Sequence, residues 1–211
     1  MNRQLKFWTG EFGNLYWSRN QMTPEKVKAG VRAYRRIFQG IKVQSVLEIG
    51  SNIGNQLAVI RKLLASKVKL YAVEPNKTAF SLLTKNKDLR LTRAYNCDAF
   101  HLPFKDGSID LVFTSGVLIH IAPDHLLQAT KEIVRVAKRY VLAIEFFSHE
   151  PEEKTYRGNR NVFFKRDFGA YYLDHFPELK PVNYGFFWQR EFPLFANANW
   201  WLFEKKPRTT S

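Results

Sequence analysis

Four short clusters of polar residues and glycines recur along the chain, each directly after an apolar run rich in β-branched residues. The first is Glu48-Ile49-Gly50-Ser51-Asn52-Ile53-Gly54-Asn55. Gly50 permits a sharp backbone turn, and Gly54 lets a following helix and a ligand approach closely. The spacing departs from the dinucleotide fingerprint Gly-x-Gly-x-x-Gly, because Asn52 takes the place of the middle glycine and a carboxylate, Glu48, precedes the turn. A negative charge there repels pyrophosphate and suits a cationic ligand. The second cluster is Glu74-Pro75-Asn76, 24 residues after Gly50, near the offset of about 20 at which an acidic side chain grips a ribose diol. In the third, Asn96-Cys97-Asp98-Ala99-Phe100, Asp98 can accept the exocyclic amine of an adenine while Phe100 packs on the ring. The fourth brings Ser115, Gly116 and Val117 to the same edge, with His120 just beyond. His120 ordinarily titrates near neutrality and can serve as a general base; alternatively it packs on the ligand or caps the helix that opens at Pro123.

The elements that must hold these clusters alternate strand and helix, the pattern of a mostly parallel sheet with helices on both faces. Strands are expected at Ser45–Ile49, Lys69–Val73, Leu91–Tyr95, Ser108–Phe113 and Tyr140–Ile144, and helices at 55–65, 76–85 and 123–138. Asn76 can cap the second of these helices. After Phe147 the pattern changes to a polar loop (149–161), a short helix over 165–175, and two aromatic strands at 182–189 and 199–204 that close the sheet edge as an antiparallel hairpin. Ahead of the sheet, Thr23-Pro24-Glu25 caps a helix running to Phe38. The preceding segment is aromatic and punctuated by glycine.

Composition narrows the class. With 45% hydrophobic and 25% charged residues over 211 positions, the chain resembles one globular domain and not a disordered or fibrous protein. The lack of a long apolar run or signal core points to a soluble cytoplasmic protein without membrane insertion. A lone cysteine, Cys97, excludes an internal disulfide, and no Cys/His spacing suits a metal. Half of the net charge of +14 lies in residues 1–44, with nine basic residues against two acidic. That field favours an anionic partner: an acidic metabolite, a nucleotide-linked substrate, a nucleic acid or an anionic membrane surface. Nothing in the sequence fixes an oligomeric state.

In order and spacing, the four clusters resemble the class I S-adenosylmethionine-dependent methyltransferases over roughly residues 42–147. The resemblance implies a Rossmann-like seven-stranded sheet with its last strand antiparallel, plus an N-terminal helical extension. It further implies that Glu48, Gly50, Ser51, Asn52, Gly54 and Asn55 surround the methionine part of S-adenosyl-L-methionine. Glu74, Pro75 and Asn76 would hold the ribose, Asp98, Ala99 and Phe100 the adenine, and Ser115, Gly116 and Val117 the region of the sulfonium. The chain then divides into an extension or lid (1–44), a cofactor-binding core (45–147) and an acceptor side (148–211).

A narrower resemblance rests on Phe7-Trp8-Thr9-Gly10-Glu11-Phe12-Gly13-Asn14-Leu15-Tyr16-Trp17-Ser18-Arg19-Asn20, on the turn from Leu47 to Gly54, and on Tyr156-Arg157-Gly158. These are similar to the methylases associated with pseudaminic acid biosynthesis, which implies an acidic sugar or nucleotide-linked sugar as acceptor. If residues 16–20 are helical, Tyr16, Arg19 and Asn20 share a face, so that Arg19 can pair with the cofactor carboxylate and Tyr16 can cover the transfer centre. Glu145 at the end of the fifth strand, and the basic run Tyr156, Arg157, Arg160 and Lys165, are candidates for binding the acceptor. Oxygen is favoured over nitrogen as the acceptor atom, with His120 and Tyr16 as catalytic candidates. An RNA methyltransferase and a non-catalytic cofactor-binding protein are the alternatives.

Overall fold

The computed structural model describes residues 3–206, so Met1, Asn2 and residues 207–211 of the expected single domain lie outside the described residues. Three short helices, α1 (Arg3–Thr9), α2 (Glu11–Asn14) and α3 (Tyr16–Arg19), lead into α4 (Pro24–Ile37). The core then runs β1 (Ser45–Ile49), α5 (Asn55–Leu63), β2 (Lys69–Val73), α6 (Lys77–Lys85), β3 (Arg93–Tyr95), β4 (Ile109–Ser115), α7 (Pro123–Val136) and β5 (Ala137–Glu145). A small flap, β6 (Glu152–Glu153) and β7 (Phe164–Lys165), precedes α8 (Phe168–His175), β8 (Leu179–Phe186) and β9 (Asn199–Lys205).

The main sheet has the order β3-β2-β1-β4-β5-β9-β8. β1 through β5 pair in parallel, and β9 inserts antiparallel between β5 and β8. This is the Rossmann-like sheet, last strand antiparallel, that the resemblance implied. All five residues of β1 are buried because the strand is central and covered on both faces, which removes the usual in-out alternation. One face packs α4, α5 and α6 through Tyr34, Leu57, Ile60 and Leu83, together with Trp200 of β9. The other packs α7 and α8 through Leu126, Ile133, Phe168 and Tyr172. Asp110 fixes the register of β1 against β4: its Oδ2 accepts from the Gln44 and Ser45 N–H groups at 2.7 and 3.1 Å.

Several boundaries differ from expectation for physical reasons. Residues 165–167 do not belong to α8; Lys165 pairs in β7, and the Asp167 side chain caps the helix by accepting from the Ala170 N–H at 2.9 Å. α7 ends at Val136 and β5 begins at Ala137 with no intervening loop. Lys205 bridges that junction by donating from Nζ to the Val134 and Ala137 carbonyls at 2.6 and 3.0 Å. The expected cap of α4 is present: the Thr23 side chain accepts from the Lys26 N–H, with Pro24 opening the first turn.

Candidate active site

The carboxyl ends of β1, β2 and β4, with the loop after β3, converge on a cleft of about 790 Å³. Ligands of open α/β sheets bind at this edge, where the strand order reverses. The floor begins at the turn after β1. Gly50 has φ of +70°, and a Cβ there would lie 2.6 Å from Val117, so only glycine lets the β1 and β4 loops close on each other. Gly54 (φ +83°) lies outside the cleft wall; a Cβ would strike Leu83 and Leu89, which makes it a packing residue between α5 and its neighbours. Asn52 also takes a left-handed conformation, with φ of +47°.

Glu74 is held rigidly at the end of β2. Its Oε2 accepts from the Asn52 N–H and its Oε1 from the Asn76 N–H, both at 2.7 Å. Asn76 in turn caps α6 through Oδ1 to the Ala79 N–H at 2.9 Å. Burial pushes the Glu74 carboxyl up to about 7, against the two backbone donors that favour its charge. Glu48 is fully enclosed, and burial followed by the nearby Glu74 charge drives it well above the ordinary carboxylate range. Its Oε2 has no hydrogen-bond partner among the described residues, and neither does Asn52 Oδ1 or Trp8 Nε1. Orphaned buried polar atoms are costly, and these three belong to residues of one cleft. At the far end, Asp98 uses one oxygen for the Phe100 N–H at 2.9 Å. Asn96 ties this loop to β2 by donating to the Glu74 carbonyl at 2.8 Å.

Above the floor, the N-terminal helices and the β6–β7 flap form a roof. Asn76 Nδ2 donates to the Trp8 carbonyl at 3.0 Å and to Asn14 Oδ1 at 2.9 Å, and Asn55 Nδ2 donates to the Asn20 carbonyl at 2.8 Å. Gln4 reaches the flap at the Asn161 carbonyl, 2.9 Å away. Rings fill the junction: Trp8 and His120 lie 4.3 Å apart, His120 and Tyr156 5.2 Å, and Tyr156 and Phe163 5.4 Å. His120 Nδ1 donates to the Val162 carbonyl at 2.7 Å, which leaves Nε2 as the lone-pair nitrogen. Loss of hydration pulls this imidazole down to about 4, so it is neutral at pH 7. Tyr16 is pushed up to about 12, by burial first and then by the Tyr156 phenol, and stays protonated.

Among the expected site residues, the cleft wall brings together Tyr16, Glu48, Gly50, Ser51, Asn52, Asn55, Glu74, Pro75, Asn76, Asp98, Ala99, Phe100, Ser115, Gly116, Val117, His120, Tyr156 and Arg157. Five others stand elsewhere, one of them Gly54, which packs against Leu83 and Leu89. Arg19 is exposed; its guanidinium donates to the Phe12 carbonyl at 3.2 Å and lies over the Phe12 and Tyr16 rings. Glu145 is sealed from solvent, accepting from the Val117, Leu118 and Ile119 N–H groups, so it orders the loop after β4 and cannot meet an acceptor. Lys165 faces Glu152 at 3.9 Å beside the Phe146 and Phe163 rings. Arg160 is exposed and outside the wall. Gln4, Trp8, Lys26 and Phe163, which carried no expected role, line the cleft. They come from distant segments; Trp8 falls within the Phe7–Asn20 stretch quoted above, and no local motif marks Gln4, Lys26 or Phe163.

Residues 47–144 match the methyltransferase domain family. No curated protein matches the chain. Among solved structures, a Leishmania major S-adenosylmethionine-dependent methyltransferase is similar at 15% identity and a TM-score of 0.71, over 96% of this chain and 82% of its own. The Burkholderia thailandensis 1,6-didemethyltoxoflavin-N1-methyltransferase, solved with 1,6-didemethyltoxoflavin and S-adenosylhomocysteine, matches at 16% identity and a TM-score of 0.65, over 92% of this chain and 82% of its own. The Synechocystis magnesium protoporphyrin IX methyltransferase, solved with bound S-adenosylhomocysteine, does so at 12% identity and a TM-score of 0.66, over 95% and 97% of the two chains. The domain match over residues 47–144 and the shared Rossmann-like methyltransferase fold support S-adenosylmethionine-dependent methyl transfer, with S-adenosyl-L-methionine as the cofactor. The residues present fit that cofactor: Glu48 offers an unpartnered acceptor for an ammonium, and Glu74 a fixed carboxylate for a diol.

Proposed function

We propose that this protein is an S-adenosylmethionine-dependent methyltransferase that methylates an oxygen of a small anionic acceptor, a sugar or nucleotide-linked sugar of a surface-glycan pathway in the cytoplasm. The observation that carries this reading is the roof: Arg157 lies at the flap tip beside Tyr156, in a wall shared with Trp8, His120 and Phe163. Aromatic faces pack against the apolar face of a sugar ring, and a guanidinium suits its carboxylate or phosphate. Arg157 and Gly158, at φ of +48° and +80°, form the two-residue turn closed by the Tyr156–Asn159 hydrogen bonds, which presents the guanidinium at the tip of the flap. The similarity of the N-terminal and Tyr156-Arg157-Gly158 motifs to the pseudaminic acid-associated methylases supports the same class of acceptor.

When bound, the cofactor supplies a methyl group on a sulfonium, open to in-line displacement by a nucleophile. Glu48 and Glu74 hold the donor side, with Asp98 at the adenine end. Tyr156 and Arg157 orient the acceptor, and the N-terminal helices exclude water. His120, neutral and with Nε2 carrying the lone pair, takes the proton released by the acceptor hydroxyl.

The test is transfer of labelled methyl from S-adenosylmethionine into a host extract fractionated into acidic small metabolites, RNA and protein, with Glu74→Ala as control. Label in the acidic small molecules is expected. Label in RNA overturns the acceptor class, and no transfer with intact cofactor binding identifies a non-catalytic protein.

A further inference from the structure

The amino-acid end of the cofactor carries a carboxylate as well as an ammonium, and with Arg19 outside the cleft wall and donating to the Phe12 carbonyl, a cation within the wall is the better partner for that carboxylate. Only one lysine and one arginine line the wall among the described residues, Lys26 and Arg157. Arg157 belongs to the flap beside Tyr156, whereas Lys26 comes from α4, near the turn that follows β1. Two hydrogen bonds locate it there. Lys26 Nζ donates to the Gln21 carbonyl at 2.8 Å, and the adjoining Asn20 carbonyl accepts from Asn55 Nδ2 at 2.8 Å. Asn55 is the first residue of α5, directly after the turn from Gly50 to Gly54. Glu48 serves the same end of the cleft, taking the Leu57 N–H from the first turn of α5 and leaving Oε2 open.

We infer that Lys26 binds the carboxylate of the cofactor's amino-acid moiety, opposite Glu48, which takes its ammonium. This rests on the cofactor assignment given above. An ammonium has three donors, and Lys26 commits one to Gln21. No acidic side chain pairs with it among the described residues. The Thr23 cap and Pro24 set the first turn of α4, so the lysine stem leaves a fixed backbone and is half-buried on its way to the cleft. A carboxylate there meets a preset cation at the N-terminal end of a 14-residue helix, where the helix dipole also favours negative charge.

The experiment compares two ligands by calorimetric titration: S-adenosylhomocysteine, which has the amino-acid moiety, and 5′-methylthioadenosine, which lacks it. Lys26→Met is expected to weaken S-adenosylhomocysteine by about 10- to 100-fold, the range for losing one charge-assisted hydrogen bond, and to leave methylthioadenosine within twofold. Lys26→Arg should recover most of the loss, and Arg19→Ala should change neither affinity. Equal weakening of both ligands by Lys26→Met would show a structural role and overturn the assignment. No change in either would assign the ammonium to the acceptor or to solvent. Failure of the unaltered protein to bind S-adenosylhomocysteine would instead refute the cofactor assignment beneath it.

Discussion

On the floor of the cleft, Glu48 and Glu74 stand at the ends of central strands enclosed on both faces, 3% and 6% exposed. The roof rests Trp8, Tyr16 and Tyr156 on helices of seven residues or fewer and on a flap with two residues per strand. Isolated helices of that length are not stable, so the roof owes its position to the contacts Asn76, Asn55 and Gln4 make with distant backbone. A rigid floor suits an invariant ligand such as a cofactor. A roof held by a few hydrogen bonds and stacked rings suits ligand entry and a variable acceptor. The difference teaches that one cleft can divide binding and selectivity between segments of unequal stability.

The largest expected effect that sharpens this contrast is on stability. Leu47→Ala in β1, where the side chain is 0% exposed, should destabilise the fold by about 2–5 kcal/mol in denaturant titration. Phe12→Ala in the roof should cost much less, because that ring is half-buried. Equal losses would mean that the roof is part of the core.

Glu145→Ala should come next. It strips the acceptor from three backbone N–H groups after β4, with an expected loss of about 2–4 kcal/mol by thermal or chemical unfolding. Glu145→Gln, which keeps an acceptor oxygen, should recover much of it. A Glu145→Ala variant of unchanged stability would return this residue to the list of ligand contacts.

The pH dependence of the roof gives a smaller effect with a defined sign. His120 titrates at about 4 in the folded chain, below its ordinary value of 6.5, so between these values the unfolded chain binds more protons. Stability from the neutral imidazole is therefore intact above about 6.5 and is lost as pH falls towards 4. Melting temperatures of the unaltered protein and His120→Asn should converge or cross over that window and run parallel above it. A constant difference from pH 7 to pH 4 would contradict the buried neutral imidazole.

Legibility in the sequence follows the same division. The turn from Gly50 to Gly54, the caps at Thr23 and Asn76, and Glu74 at the end of β2 announce themselves through residues close in the chain, because a turn or cap is a local event. Arg19 misled because a spacing that puts it beside Tyr16 says nothing of which way that face looks; its guanidinium settles on Phe12 and Tyr16 instead. Glu145 stands at the expected edge, yet the unpaired N–H groups of another loop claim it. Lys26 reads as an ordinary first-turn residue, since its own partner, the Gln21 carbonyl, is local and only the Asn55–Asn20 hydrogen bond, between distant segments, brings this part of the chain to α5. The start of α8 was recoverable from Asp167, a good capping residue.

The division of labour is tested most directly by titrating S-adenosylhomocysteine into the unaltered protein, Glu74→Ala and Tyr156→Ala. Loss of the floor carboxylate should weaken binding by about 10- to 100-fold, as expected for a charge-assisted hydrogen bond, while the roof variant stays within about threefold. Equal affinities for all three proteins, or a larger loss from Tyr156→Ala than from Glu74→Ala, would contradict the account.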